Sequence, residues 1–95
     1  MVAIRSFGDK RTERIWQGRR VPRLSNDLYL KAQRRLSYID AAGSIDALRV
    51  PPSERLEKKK GDLKDFYSIR VNAQWRIIFR WVDGQAEDVK FVDYH

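Results

Sequence analysis

Residues 66–93, FYSIRVNAQWRIIFRWVDGQAEDVKFVD, decide the fold. Phe66 to Val71 alternates in polarity and reads as a strand. Asn72-Ala73 can turn the chain, and Trp75 to Val82 is a second strand rich in aromatic and β-branched side chains. Asp83-Gly84 is a short-turn signal, and a third strand is expected from Asp88 to about Asp93. Three strands joined by two tight turns form an antiparallel meander. Alternation puts Tyr67, Ile69 and Val71 on one face, together with Ile77, Phe79 and Trp81. The opposite face then carries Ser68, Arg70, Arg76, Ile78 and Arg80.

Upstream of the meander the apolar period changes from two to that of a helix. Leu28, Ala32, Leu36 and Ile39 repeat at helical spacing, with Arg34 and Arg35 off that line. Ser25 is a suitable N-cap with Asp27 in the first turn, and Gly43 ends the pattern, so a helix is predicted over 26–41. A shorter helix is expected from Asp9 to about Trp16, followed by a basic loop, Gly18-Arg19-Arg20-Val21-Pro22. Val2 to Phe7 reads as a short first strand, and Ser44 caps one further turn through Ile45 and Leu48. Pro51-Pro52 breaks the helical pattern, and the charged stretch from Ser53 to Asp65 reads as a loop. The expected order is βααβββ, an α+β fold with helices packed on one face of a mainly antiparallel sheet.

A chain of 95 residues is expected to form a single domain over 1–95, with one modest core and no enclosed cofactor cavity. Its 42% apolar and 35% charged residues fit a globular protein rather than a disordered one. No apolar run approaches the roughly 20 residues needed to cross a bilayer, and Met1 to Arg5 lacks the apolar region of a signal peptide. With no cysteine to form disulfides, the expected location is the cytoplasm. The net charge of +7 favours a polyanionic partner, of which nucleic acid is the commonest; an acidic protein or anionic lipid would satisfy it equally.

Arg70, Arg76 and Arg80 on one sheet face, beside Lys58, Lys59 and Lys60, would line a basic concavity suited to phosphate oxygens. The plainer reading is that these charges only keep an exposed surface solvated. The chain ends Asp93-Tyr94-His95, a carboxylate, a phenol and the only imidazole. Imidazole exchanges protons near neutrality, although a terminal histidine can also be idle. One histidine without cysteine makes no zinc set, so neither a metal nor an organic cofactor is expected. RNA cleavage needs neither. The substrate supplies its own nucleophile, the 2′-hydroxyl, and the protein needs a base, an acid and cations around the phosphorane.

Pro51-Pro52-Ser53-Glu54-Arg55-Leu56-Glu57, Lys60-Gly61-Asp62, Tyr67-Ser68-Ile69-Arg70-Val71-Asn72, Gln74-Trp75-Arg76-Ile77 and Val92-Asp93-Tyr94-His95 occur in that order. This set resembles the HigB family of toxins from bacterial type II toxin–antitoxin pairs, within the RelE superfamily. Ile4-Arg5-Ser6-Phe7 is similar to that family's opening. The resemblance covers essentially the whole chain and is most specific from 51 to 95. It implies a microbial RNase-like (RelE-like) fold and cleavage of messenger RNA on the ribosome. The implied partner is a HigA-like helix-turn-helix antitoxin, through which alone the pair would reach operator DNA. The family's functional residues fall on Lys60, Arg76, Asp93, Tyr94 and His95. Lys58, Lys59, Arg70 and Arg80 are read here as RNA-binding. Glu57 stands where some members have a histidine and Asp65 where many have a glycine, so the identity of the base stays open. Two other readings remain: a non-catalytic RNA- or ribosome-binding module, and an inactive partner of a helix-turn-helix antitoxin.

Overall fold

The protein is seen in a computed structural model that describes residues 3–49, 56–58 and 66–93. Helix α1 spans Lys10–Gln17 and α2 spans Asn26–Ala41, followed by a 3₁₀ turn at Ile45–Arg49. Strands β1 (Glu57–Lys58), β2 (Phe66–Arg70), β3 (Trp75–Val82) and β4 (Gln85–Asp93) form one sheet in sequence order, every neighbouring pair antiparallel.

Local chemistry accounts for most boundaries, although α2 ends on Ala42 in extended backbone (φ −71) rather than on a left-handed Gly43. Asp9 caps α1, its carboxylate accepting from Thr12 N–H at 2.8 Å. Gly18 ends α1 in the left-handed region at φ 76, with Gly18 N–H donating to Ile15 C=O and Arg19 N–H to Arg14 C=O. Ser25 caps α2 through Leu28 N–H. Asp83 (φ 52) and Gly84 (φ 78) both take positive φ, the type I′ geometry that matches the twist of a two-residue hairpin. The turn before β3 is held by Asn72, whose side chain accepts from Gln74 and Trp75 N–H, each at 2.8 Å.

The core lies between the helices and one sheet face, as an α+β layer pair requires. Ile15, Ala32, Leu36 and Ile39 meet Ile69, Ile77, Phe79 and Phe91, all essentially inaccessible. Burial of each large side chain contributes about 1.5–3 kcal/mol. Tyr67, Val71 and Trp81 belong to the same packed face, as the alternation predicts. No helix among the described residues is long and apolar enough to cross a membrane.

Three expectations need correction. The predicted first strand is not continuous: Ile4 bridges Ala86 and Phe7 bridges Val89, both in parallel. Its interruption comes from a bulge in β4, where Asp88 takes φ 53 and the register shifts opposite Ile78 to Arg80. Ser6 Oγ takes up the Asp88 N–H there. The charged stretch read as a loop contains β1, which pairs Glu57 with Ser68 and Lys58 with Tyr67. The last strand begins at Gln85, not at Asp88. Its outer edge stays covered beyond the bridges. Phe91 N–H donates to the buried Thr12 Oγ1 at 2.8 Å, and Arg11 donates to Phe91 C=O at 2.7 Å.

Candidate active site

The sheet face away from the helices carries the predicted arginines in fixed register. Arg70 stands directly opposite Arg76, Ser68 opposite Ile78, and Phe66 opposite Arg80. This face is not uniformly open, as the sequence had suggested. Ser68 is fully buried, Ile78 is 6% exposed and Arg76 only 9%. Arg76 Nη1 donates to Ser68 Oγ at 2.9 Å. A guanidinium is expensive to bury unless it is hydrogen-bonded. The Ser68 hydroxyl therefore matters as an anchor that fixes the plane of the Arg76 group. Reading the sequence alone missed that role; the available signal was a small hydroxyl residue on an otherwise cationic strand face.

Arg70 and Arg76 form a directly opposed like-charge pair, which is unfavourable on a sheet surface. A phosphate placed between them would turn that repulsion into a charge-assisted clamp. The Arg70 guanidinium is half-buried and makes no ion pair with any described residue.

Arg80 differs. Its Nε and Nη2 both lie 2.9 Å from Asp88 Oδ2, and Nη2 is 3.3 Å from Glu87 Oε1. Arg5 adds a second cation to Glu87, at 3.3 Å. The β4 bulge creates this network, because it turns Glu87 and Asp88 toward Arg80. Arg80 thus shares the face with Arg76, but its charge is largely met within the protein.

Asp93 closes β4 opposite Trp75, so alternation assigns it to the other side of the sheet from Arg76 and Val92. It is exposed, and Oδ2 accepts from Gln74 Nε2 at 2.9 Å. Lys58 is placed by its backbone pairing with Tyr67 alone. Lys59, Lys60, Tyr94 and His95 lie outside the described residues. Of the predicted set, the fold brings together Arg70, Arg76 and Arg80, and it separates Asp93 from them by face.

Helices packed on one face of an antiparallel sheet make up an α+β, RelE-like fold. A model of the RelE-like toxin of the type II toxin–antitoxin system HigB matches residues 5–95, and the chain belongs to this family. Toxin HigB-1 of Vibrio cholerae serotype O1 is 40% identical over 94 residues, spanning 94% of either chain. A protein from Proteus vulgaris named Endoribonuclease HigB is 39% identical over 61 residues, 64% of this chain and 65% of that one.

Proposed function

We propose that this endoribonuclease toxin cuts messenger RNA engaged on the ribosome, by metal-independent acid–base chemistry at the substrate's 2′-hydroxyl. The observation that carries the reading is Arg76, nine-tenths buried, clamped by Ser68 and opposed by Arg70. Such a group is held in place before substrate arrives, which is what electrostatic stabilisation of a transition state requires. The family supplies the biological setting: a type II toxin has an antitoxin partner. A HigA-like helix-turn-helix protein is the form of antitoxin proposed here, and the cytoplasm, where ribosomes translate, is the proposed place of action.

The proposed chemistry balances as follows. A base removes the proton of the 2′-hydroxyl, and the 2′-oxygen bonds to phosphorus. The bond from phosphorus to the 5′-oxygen then breaks, and an acid protonates that oxygen. The products are a 2′,3′-cyclic phosphate and a 5′-hydroxyl. Arg76 and Lys60 stabilise the extra negative charge on the phosphorane, with Arg70 on the flanking phosphate oxygens. His95 exchanges the proton with the leaving oxygen, and Tyr94 stacks on or orients the nucleotide. The strand-end position of Asp93, held by Gln74, suits a positioning role for the two residues that follow it more than contact with phosphate. Lys58 and Lys59 add to the local positive field.

The test is to incubate the purified toxin with programmed ribosomes, and separately with the same RNA free, both with EDTA kept below the magnesium that holds ribosomes intact so that transition metals alone are stripped, and to map 5′ ends. Cuts confined to the ribosome-bound message, with 5′-hydroxyl ends, are expected. Equal cutting of free RNA, or no cutting at all, would defeat the reading.

A further inference from the structure

We propose that the connection between α1 and α2 is a second RNA-contacting surface, which seats on the phosphate backbone of the ribosome's folded RNA away from the strand being cut. This rests on the ribosomal reading above and goes beyond it, because none of these residues belongs to the sheet face.

From Lys10 to Arg23 the chain holds six cations, Lys10, Arg11, Arg14, Arg19, Arg20 and Arg23, against one carboxylate, Glu13. Arg14, Arg19, Arg20 and Arg23 are exposed, and their guanidinium groups make no ion pair with any described residue. Several other described cations are engaged, although Arg34, Arg70 and Lys90 likewise make no ion pair with a described residue. Arg5 and Arg80 meet Glu87, Lys31 meets Asp27, and Arg11 lies over the Trp75 and Phe91 rings. The closest run of uncompensated charge among the described residues, four exposed arginines within residues 14–23, is therefore at this corner.

The corner is also held rigidly. Val21 is buried in the core, Tyr29 donates its hydroxyl to Arg19 C=O at 3.0 Å, and Gln33 Nε2 donates to Ile15 C=O at 3.0 Å. The paired bonds after Gly18 fix where the loop leaves α1. Pre-set backbone lowers the ordering cost of binding. Arg23 follows Pro22 in a turn at φ 64, a conformation that suits glycine or asparagine and is unfavourable for arginine by roughly 1–2 kcal/mol. Gly18, Arg20, Pro22, Arg23, Asn26 and Tyr29 surround an open hollow of about 360 Å³. Its openness suits a ridge of sugar and phosphate rather than an enclosed metabolite.

Chemistry selects RNA among polyanions. Five of the six cations are arginines, whose planar fork binds phosphate in bidentate fashion. A protein interface needs buried apolar anchors, and a membrane surface needs apolar side chains to insert. Among the described residues the exposed large apolar ones, Leu30 and Tyr38, lie along α2 and not in this loop. Because α1 and α2 sit on the sheet face opposite Arg76, one nucleotide cannot meet both surfaces. A large RNA particle surrounding the toxin can.

The experiment measures binding of the full chain to vacant ribosomes across salt concentrations. It compares wild type with the triple variant Arg19→Gln/Arg20→Gln/Arg23→Gln, with folding checked by circular dichroism. The variant is expected to bind roughly ten- to hundredfold more weakly near 0.1 M salt, with a slope of log K against log salt flatter by about 2 to 3. Arg23→Gly, whose backbone suits the turn, keeps the wild-type melting temperature and loses one contact's share of the slope. Wild-type affinity and slope in the triple variant would overturn the proposal, and so would loss of antitoxin binding with ribosome binding intact, which would mark a protein interface. A wild-type toxin that does not bind ribosomes would overturn this proposal and the ribosomal reading together. An unchanged variant beside a wild type that binds would overturn this one alone.

Discussion

Two sets of arginines, on opposite layers of one small fold, have opposite surroundings. On the sheet, Arg76 is buried against Ser68, and Arg80 is tied to Asp88 and Glu87. At the α1–α2 corner, Arg14, Arg19, Arg20 and Arg23 stand exposed with no ion pair to a described residue. The difference teaches that net charge counts cations but does not say which are available. Burial with a hydrogen-bond partner produces a fixed group suited to chemistry. Exposure without a carboxylate produces a docking charge whose effect falls with salt.

Substitutions can break this comparison. Arg76→Ala is expected to lower single-turnover cleavage by about 10²–10³, the usual consequence of deleting a fixed transition-state donor. A smaller drop, well under tenfold, would remove Arg76 from the chemistry. Ser68→Ala removes the hydrogen bond from Arg76 to the Ser68 hydroxyl and is expected to lower stability by about 0.5–1.5 kcal/mol, read as a fall in the urea midpoint. Its cleavage rate should fall as well, with partial rescue by Ser68→Thr, whose hydroxyl can reach the same donor. An equal rate in Ser68→Ala would show that the hydroxyl only fills space. The smallest effect belongs to Arg80→Gln. Its charge is already met by Glu87 and Asp88, so ribosome affinity and salt slope should stay within about twofold of wild type. Stability should change by under about 1 kcal/mol, because the pair is partly exposed. A loss as large as that of the corner variant would put Arg80 among the RNA contacts after all.

Much of this architecture was legible in the residues. Ser25 and the Leu28, Ala32, Leu36, Ile39 stripe located α2 at Asn26–Ala41, because caps and helical periodicity are local signals. Alternation through Trp75 to Val82 sorted the two sheet faces correctly. It could not have been carried through β4, for an identifiable reason. The bulge at Asp88 reverses the parity of the strand, so Ala86 and Val89 are both fully buried although three residues apart. The same bulge splits the N-terminal pairing into two bridges and aims two carboxylates at Arg80. Neither consequence can be read from polarity alone. β1 was hidden for another reason: a two-residue pairing inside a charged stretch leaves no periodic trace. The candidate site could be proposed only as a set of residue types. Its grouping was not legible, since facing across strands depends on register: Arg76 meets Ser68 and Arg70, while Asp93 falls on the other side.

The most direct measurement is the single-turnover cleavage rate on programmed ribosomes as a function of ribosome concentration, for Arg76→Ala and for the triple corner variant. The sheet arginine is predicted to lower the plateau with little change in midpoint. The corner arginines are predicted to raise the midpoint roughly ten- to hundredfold and leave the plateau in place. A plateau that survives Arg76→Ala would contradict the assignment of the sheet face as the place where RNA is cut.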